Sequence, residues 1–316
     1  MWKNRVVKVS KLVAEVLVFF VLARATCGLG LAPFGISVVI ASLYFLRHTP
    51  LHAICFVVGN TFAGFGLNSL YISLNVFGVV ILSWLVAKKF KKKPNHYTII
   101  IPYLLSMVSF CYLNIGVARQ NLMLTFAVVL GLIFTYVAIC FFGAVARDFN
   151  LTLNLDEKIC GSLMLVVLGM GLANINIYFF EFSKFVGVYL ILLCSMVAPQ
   201  NTFLIASLLG LGCALNSLNI LYVAVFVGYS LSALAFKTNY KIFSIVAVVL
   251  TEILMGVYFK AYPHFTWFSL LSVGGAGLIF LFTPKRVFLK IKDLIGAKRE
   301  NLAIRSLVNR TKSGIC

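Results

Sequence analysis

The sequence predicts an all-α, polytopic membrane protein, and three features of its composition support this. The chain has 316 residues, of which 62% are hydrophobic and 11% charged, with a mean hydropathy of +1.03. A water-soluble fold cannot bury so much apolar surface, which excludes a secreted disulfide scaffold, a disordered chain and an ordinary cytosolic enzyme. The 27 Lys and Arg residues stand in short runs between long apolar segments. This arrangement is typical of membrane proteins and excludes a nucleic-acid partner.

Twelve apolar segments are candidate membrane spans. About 20 helical residues cross the hydrocarbon core of a bilayer, and shorter spans are tolerated by local thinning. The four shortest segments could instead be tilted hairpin helices or re-entrant pieces, so the alternative is ten crossings. Both counts are even and place the two termini on the same side. The segments are residues 12–29, 31–46, 51–66, 70–87, 97–117, 122–143, 159–180, 185–198, 203–218, 219–236, 242–258 and 265–282.

The positive-inside rule predicts that both termini are cytoplasmic. With the N-terminus inside, nearly all basic residues between the segments fall on the inner side, and only Arg119, Lys184 and Lys260 fall outside. The stretch Ala23-Arg24-Ala25 imitates the cleavage site of a signal peptide. Glu15 within the apolar run and Arg24 at the cut argue against cleavage.

An internal repeat divides the predicted membrane region into two halves. The stretch LNSL occurs at 67–70 and again at 215–218, and Gly78 and Gly228 recur at nearly the same offset. Halves that both begin in the cytoplasm are parallel repeats about an axis along the membrane normal. The predicted division is a basic cytoplasmic N-terminus 1–11, membrane half one 12–143, a cytoplasmic connector 144–158, membrane half two 159–282 and a basic cytoplasmic tail 283–316.

Three ionisable residues inside the apolar segments are candidate sites, because charge is costly in lipid. Glu252 lies ten residues into its segment, and Arg24 is its natural partner. A structural role is favoured over a proton or ion pathway. Glu15 and Arg24 point to opposite faces of one straight helix, so Glu15 is expected to meet Lys11, one turn back.

Asn68 and Asn216 occupy matching places in the repeated stretch, close to glycines. Glycines let helices approach, and amide side chains can then bond across the contact. Alternatively both residues lie in short external turns, where Asn and Gly are favoured. The turn is the favoured interpretation.

No cofactor, metal or catalytic site is predicted. The eight cysteines contain no C-x-x-C pair and behave as small hydrophobes. His48 and His52 are four residues apart, but Pro50 lies between them with no carboxylate or thiol nearby, which favours an interfacial turn. No phosphate-binding loop and no Ser/His/Asp set can be identified.

Basic residues at the ends of two segments are expected to contact anionic lipid or a partner protein. They also act as the signal that fixes topology. These residues are Lys88, Lys89, Lys91, Lys92, Lys93, Lys285 and Arg286.

Three stretches carry a resemblance to a known family. They are LAPFG (31–35) after ARA (23–25), NLDEKICGSLMLVVLGMGL (154–172) and LIFLFTPKR (278–286). In this order they resemble the N-terminal membrane region of stage II sporulation protein E, over about residues 12 to 290. Family members are described with about ten spans.

The resemblance implies a protein of endospore-forming bacteria that is placed at the asymmetric division septum and linked to the division machinery. In that family a C-terminal metal-dependent serine phosphatase domain performs the catalysis. Only 32 residues follow Pro284, and no Asp-Gly pair occurs to match the metal-binding aspartates. No catalytic residue can be carried over, and we expect a truncated chain or a stand-alone relative.

The expected function is that of a non-enzymatic module of the bacterial cytoplasmic membrane. It would act in localisation, self-association and partner recruitment during sporulation or cell division. The alternative is a secondary transporter of a small or charged solute with an intramembrane Glu252/Arg24 site.

Overall fold

The computed structural model describes residues 2–26, 33–45, 48–64, 67–90, 95–114, 118–146, 154–177, 180–236, 241–258 and 267–289. These ranges form twelve α-helices and a short antiparallel hairpin of two strands, which confirms the predicted all-helical class. A helical turn follows at 285–289. The helices are α1 (Trp2–Ala23), α2 (Pro33–Phe45), α3 (Thr49–Gly64), α4 (Leu67–Lys89), α5 (Tyr97–Asn114), α6 (Ala118–Ala146), α7 (Leu155–Ala173), α8 (Phe182–Val197), α9 (Pro199–Ser217), α10 (Leu221–Ala235), α11 (Lys241–Tyr258) and α12 (Trp267–Phe282), and the strands are β1 (Asn176–Ile177) and β2 (Phe180–Glu181).

Each predicted apolar segment corresponds to one helix, with two notable differences at the ends. Helix α1 begins at Trp2, ten residues before the predicted segment, because its polar N-terminal part continues the same helix. Helix α7 begins at Leu155, where the Glu157 carboxylate accepts a hydrogen bond of 3.0 Å from the backbone N–H of Asn154. It ends at Ala173, and the unpredicted hairpin of β1 and β2 follows.

Three helical segments are long and apolar enough to cross a membrane. They are α4, residues Leu124–Val145 of α6, and α11. This property indicates a multi-pass membrane protein. Large apolar side chains cover their outer surfaces, and Leu82, Val129 and Leu254 are 64%, 53% and 67% exposed. Six further apolar helices are shorter, namely Leu12–Ala23, Pro33–Phe45, Tyr97–Tyr112, Phe182–Val197, Leu221–Ala235 and Ser269–Phe282.

Helices α1–α6 pack against one another in the same pairs as helices α7–α12. Helix α2 packs on α6 as α8 packs on α12, α3 packs on α4 as α9 packs on α10, and α1 packs on α3 as α7 packs on α9. The other extensively packed pairs within each group correspond in the same way. The two groups meet where α1 and α6 contact α7.

Glycines permit the closest helix contacts in these packed groups. A Cβ atom at Gly171 of α7 would overlap the carbonyl oxygen of Val21 in α1. At the contact of α7 with α9, a Cβ at Gly212 would overlap the carbonyl oxygen of Val166. Both helix pairs therefore approach so closely that only glycine fits, as is common where membrane helices pack.

We predict that Gly171→Ala destabilises the protein by about 1–3 kcal/mol, because the added methyl group separates α1 from α7. The measurement is thermal unfolding of the detergent-solubilised chain. Gly274→Ala is the matched control, since a Cβ at Gly274 has no atom within 4 Å. Alanine favours a helix over glycine by about 1 kcal/mol, so the control should keep or raise the midpoint. Equal midpoints for the two variants would contradict the close contact.

Candidate functional site

Glu252 lies in α11 and is fully buried at a junction of four helices. Its Oε1 accepts hydrogen bonds from Lys184 Nζ of α8 at 2.9 Å and from Ser269 Oγ of α12 at 2.5 Å. Its Oε2 accepts a short hydrogen bond from the Tyr229 hydroxyl of α10. One carboxylate thus joins α8, α10, α11 and α12. We call Lys184, Tyr229, Glu252 and Ser269 the ion-pair cluster.

Lys184 is the partner of Glu252 that the sequence analysis missed. Its side chain is completely buried, although the residue was assigned to an external loop. It also lies 3.1 Å from Oε2 of Glu181 in β2, in an ion pair without hydrogen-bond geometry. The backbone N–H of Glu181 donates to Ser272 Oγ at 2.9 Å, which holds β2 against α12. The sequence did offer one sign that Lys184 is paired: Glu181 and Lys184 are three residues apart at a segment boundary.

The ion-pair cluster neutralises charge inside the helix bundle. Both oxygens of Glu252 accept hydrogen bonds from side chains, so removal from water is compensated locally. Within the described residues no group of three or more His, Cys, Asp or Glu side chains is placed to hold a metal ion. The geometry is that of a fully buried ion pair that joins α8 to α11.

Arg24 does not meet Glu252, so the predicted pairing of these two residues is wrong. Arg24 follows the end of α1 and donates from Nη2 to the carbonyl oxygen of Asn174 at 2.5 Å. In return, Asn174 Nδ2 donates to the carbonyl oxygen of Arg24 at 2.6 Å. The two residues are 150 positions apart and exchange the same kind of bond. The guanidinium is held at the end of a neighbouring helix, not beside a carboxylate.

Asn216 belongs to the same group of residues, which we call the helix-end cluster: Arg24, Thr26, Asn174 and Asn216. Asn174 Nδ2 also donates to Thr26 Oγ1 at 2.6 Å, and Thr26 Oγ1 donates to Asn216 Oδ1 at 3.1 Å. Asn216 lies in the last turn of α9, so the favoured external turn is wrong for this residue. Asn68 is exposed in the first turn of α4 and is not brought to Asn216.

Glu15 bonds to His52, an arrangement that the sequence analysis did not anticipate. Glu15 Oε1 lies 2.8 Å from His52 Nε2, and the imidazole stacks on Phe19 with ring centroids 3.7 Å apart. His52 is buried within α3, so the predicted interfacial turn is wrong for this residue. His48 does adopt a left-handed backbone conformation, with φ of 56°. The expected contact of Glu15 with Lys11 lies outside the described side chains.

The predicted basic contact residues are exposed where the structure describes them. Lys88 and Lys89 end α4, and the Lys88 Nζ lies 4.8 Å from the centre of the Trp84 ring. Lys285 and Arg286 are exposed in the turn after α12. Lys91, Lys92 and Lys93 lie outside the described residues.

We predict that Lys184→Met destabilises the protein by about 3–5 kcal/mol, because it leaves the buried Glu252 carboxylate without its cation. Adding Glu252→Gln to Lys184→Met should recover much of this loss, since the fully buried carboxylate is then neutral and only the partly exposed Glu181 lacks its cation. Thermal unfolding in detergent measures both effects. Lys88→Met is the control for loss of a lysine at an exposed site and should change stability little. Additive losses in the double variant would contradict a direct ion pair.

The chain was also compared with known proteins. No protein-family model, curated protein or solved structure matches it. The resemblance to the membrane region of stage II sporulation protein E therefore stays a prediction.

Proposed function

We propose that the chain is a non-enzymatic membrane module that acts in localisation, self-association and partner recruitment. The observation that carries this proposal is the ion-pair cluster. Its lysine and glutamate are completely buried and bond to each other, and Tyr229 and Ser269 complete the hydrogen bonding of the carboxylate. Such an arrangement favours a rigid scaffold over a site that must release a ligand in each cycle.

The proposed membrane architecture is twelve spans in two parallel halves, with both termini in the cytoplasm. The corresponding helix pairs in α1–α6 and α7–α12 support the repeat. The helix-end cluster supports it further, because Arg24 and Asn174 exchange equivalent bonds at an offset of 150 residues. Val21 and Gly171 meet at the same offset, as expected for residues near a two-fold axis between α1 and α7.

The proposed biological setting comes from the family resemblance and the charge distribution. A module resembling the membrane region of stage II sporulation protein E would act at the division septum of a sporulating bacterium. The exposed cations Lys88, Lys89, Lys285 and Arg286 would contact anionic lipid or division proteins at the cytoplasmic face. The transporter alternative relied on a Glu252/Arg24 site, and these two residues bond to other partners.

A fluorescent fusion of the full chain should concentrate at septa when expressed in a sporulating host. The double variant Lys184→Met/Glu252→Gln should localise in the same way, because a scaffold needs the fold and not an exchangeable charge at this junction. Fluorescence microscopy before and during sporulation is the measurement. Uniform membrane fluorescence of the unchanged chain throughout sporulation would overturn the proposal. Loss of solute uptake in Lys184→Met/Glu252→Gln with localisation intact would favour a transporter.

Reporter fusions test the proposed topology. A fluorescent protein at the C-terminus should fluoresce, and a phosphatase that is active only outside the cytoplasm should be inactive there. The same phosphatase inserted after Asn219, in the turn between α9 and α10, should be active, because that turn faces outward in the twelve-span arrangement. Insertion after Lys89, the last residue of α4, is the control. The phosphatase should be inactive there, because that end of α4 faces the cytoplasm in the same arrangement. The reverse pattern would contradict the orientation.

A further inference from the structure

One face of α4 carries a polar residue and a glycine whose roles packing within a single chain explains only in part. Helix α4 is among the helices long and apolar enough to cross a membrane, and most of its apolar residues are not buried within the fold. Residues 71, 75, 78, 82 and 85 follow one another at spacings of four, three, four and three. This is the heptad spacing of a helix that packs along another helix. We call Tyr71, Asn75, Gly78, Leu82 and Leu85 the α4 seam.

The apolar members of the α4 seam are exposed. Tyr71, Leu82 and Leu85 are 58%, 64% and 49% exposed. Exposed apolar residues alone are expected wherever a helix faces lipid. The two members that distinguish this face from an ordinary lipid-facing surface are Asn75 and Gly78.

Asn75 is partly exposed on α4, and its amide group only donates hydrogen bonds among the described residues. Its Nδ2 donates to Ser109 Oγ of α5 at 2.8 Å and lies 3.4 Å from the carbonyl oxygen of Leu105. No described residue donates to its Oδ1. Asn75 is nine residues into α4, about 12 Å along the helix from its start at a rise of 1.5 Å per residue. Hydrocarbon at this depth offers no donor, so an unsatisfied amide oxygen is costly there.

Asn75 also lines a groove between α4 and α5. The groove has a volume of about 270 Å³, and Tyr71 and Tyr112 stand on its walls. Tyr112 is 73% exposed. A side chain from a neighbouring helix therefore has space to reach Asn75.

Gly78 lies one turn below Asn75, and a Cβ atom there would have no atom within 4 Å. Its counterpart in the repeat, Gly228 of α10, is packed against α11, where a Cβ would lie 2.9 Å from Met255 Cε. Gly228 is thus explained by contacts within the chain, and Gly78 is not. Gly274 of α12 is similarly open, but its lipid-facing neighbours Leu271 and Leu278 are apolar. Small residues on a membrane helix allow a second helix to approach closely.

We propose that the α4 seam is the contact between two copies of this chain, packed in parallel about a two-fold axis along the membrane normal. An isologous contact places Asn75 opposite Asn75 of the second copy. A carboxamide carries both a donor and an acceptor, so each Asn75 can supply what the other lacks once its long contact to Leu105 is given up. Gly78 allows the two backbones to come close enough for this exchange. The proposal deepens the self-association proposed above by naming its surface.

The test is energy transfer between two fluorescently labelled populations of the full chain in vesicles, measured over a series of protein-to-lipid ratios. The unchanged chain should show transfer that depends on dilution, as expected for a reversible dimer. Asn75→Leu and Gly78→Leu should each weaken association about tenfold, since interhelical hydrogen bonds and close packing each contribute about 1–2 kcal/mol. Gly274→Leu, at an open glycine of α12, is the matched control and should leave association unchanged.

The outcomes separate this inference from the proposed function. A monomeric unchanged chain would overturn it and leave the face to lipid or to a different protein. Association that is insensitive to Gly78→Leu would also overturn it while keeping self-association through another surface. A Cβ at Gly78 has no atom within 4 Å, so Gly78→Leu should keep or raise the thermal midpoint, which separates loss of contact from loss of fold. Septal localisation is read independently, so its failure would leave a Gly78-dependent dimer standing.

Discussion

The bond between Lys184 and Glu252 is the constraint on which the packing of the second group of helices depends. Neither side chain has access to water, and hydrocarbon offers nothing that could replace the partner of either charge. Helices α8 and α11 must therefore stay in register, and the hydroxyl groups of Tyr229 and Ser269 extend the same requirement to α10 and α12. A shift of one turn along any of these helices moves a donor or an acceptor by about 5.4 Å and breaks the cluster.

In the first group, the helices that correspond to α8, α10, α11 and α12 are joined by neutral hydrogen bonds. No ion pair joins α2, α4, α5 and α6 among the described residues, and hydroxyl and amide groups take its place. Neutral bonds of this kind each contribute little, so they fix helix positions less firmly than a buried charge pair does. Similar neighbours can thus be held by different chemistry in two groups of the same arrangement. The bonds in question are Ser37 Oγ to the Gly131 carbonyl at 2.7 Å, Asn60 Nδ2 to Ser73 Oγ at 2.8 Å, Asn75 Nδ2 to Ser109 Oγ at 2.8 Å and Tyr103 OH to the Val128 carbonyl at 2.8 Å.

Sequence patterns predicted the helices better than they predicted the contacts between them. Apolar segments and their polar boundaries are local properties, so every predicted segment contains a helix. Partner choice is not local: Glu252 meets Lys184 across 68 residues, and Glu15 meets His52 across 37. Charge counting placed Lys184 in a loop, because a lysine at the start of an apolar segment gives no sign of whether it points to water or into a bundle. Arg24 was paired by sign of charge alone, although carbonyl groups at a helix end can hold a cation equally well.

The helix-end cluster joins the two groups of helices without an ion pair. Helices α1, α7 and α9 all end near Arg24, where unpaired carbonyl groups give the helix ends partial negative charge. A guanidinium placed there is compensated without any carboxylate, and Asn174 satisfies the carbonyl group of Arg24 in return. Because these bonds join the last turns of the helices, they hold the two groups together at one end. Near its beginning, α7 packs against α6, where a Cβ at Gly161 would lie 3.7 Å from the Phe141 ring, so the contact between the groups continues along α7. The ion-pair cluster fixes the interior of the second group.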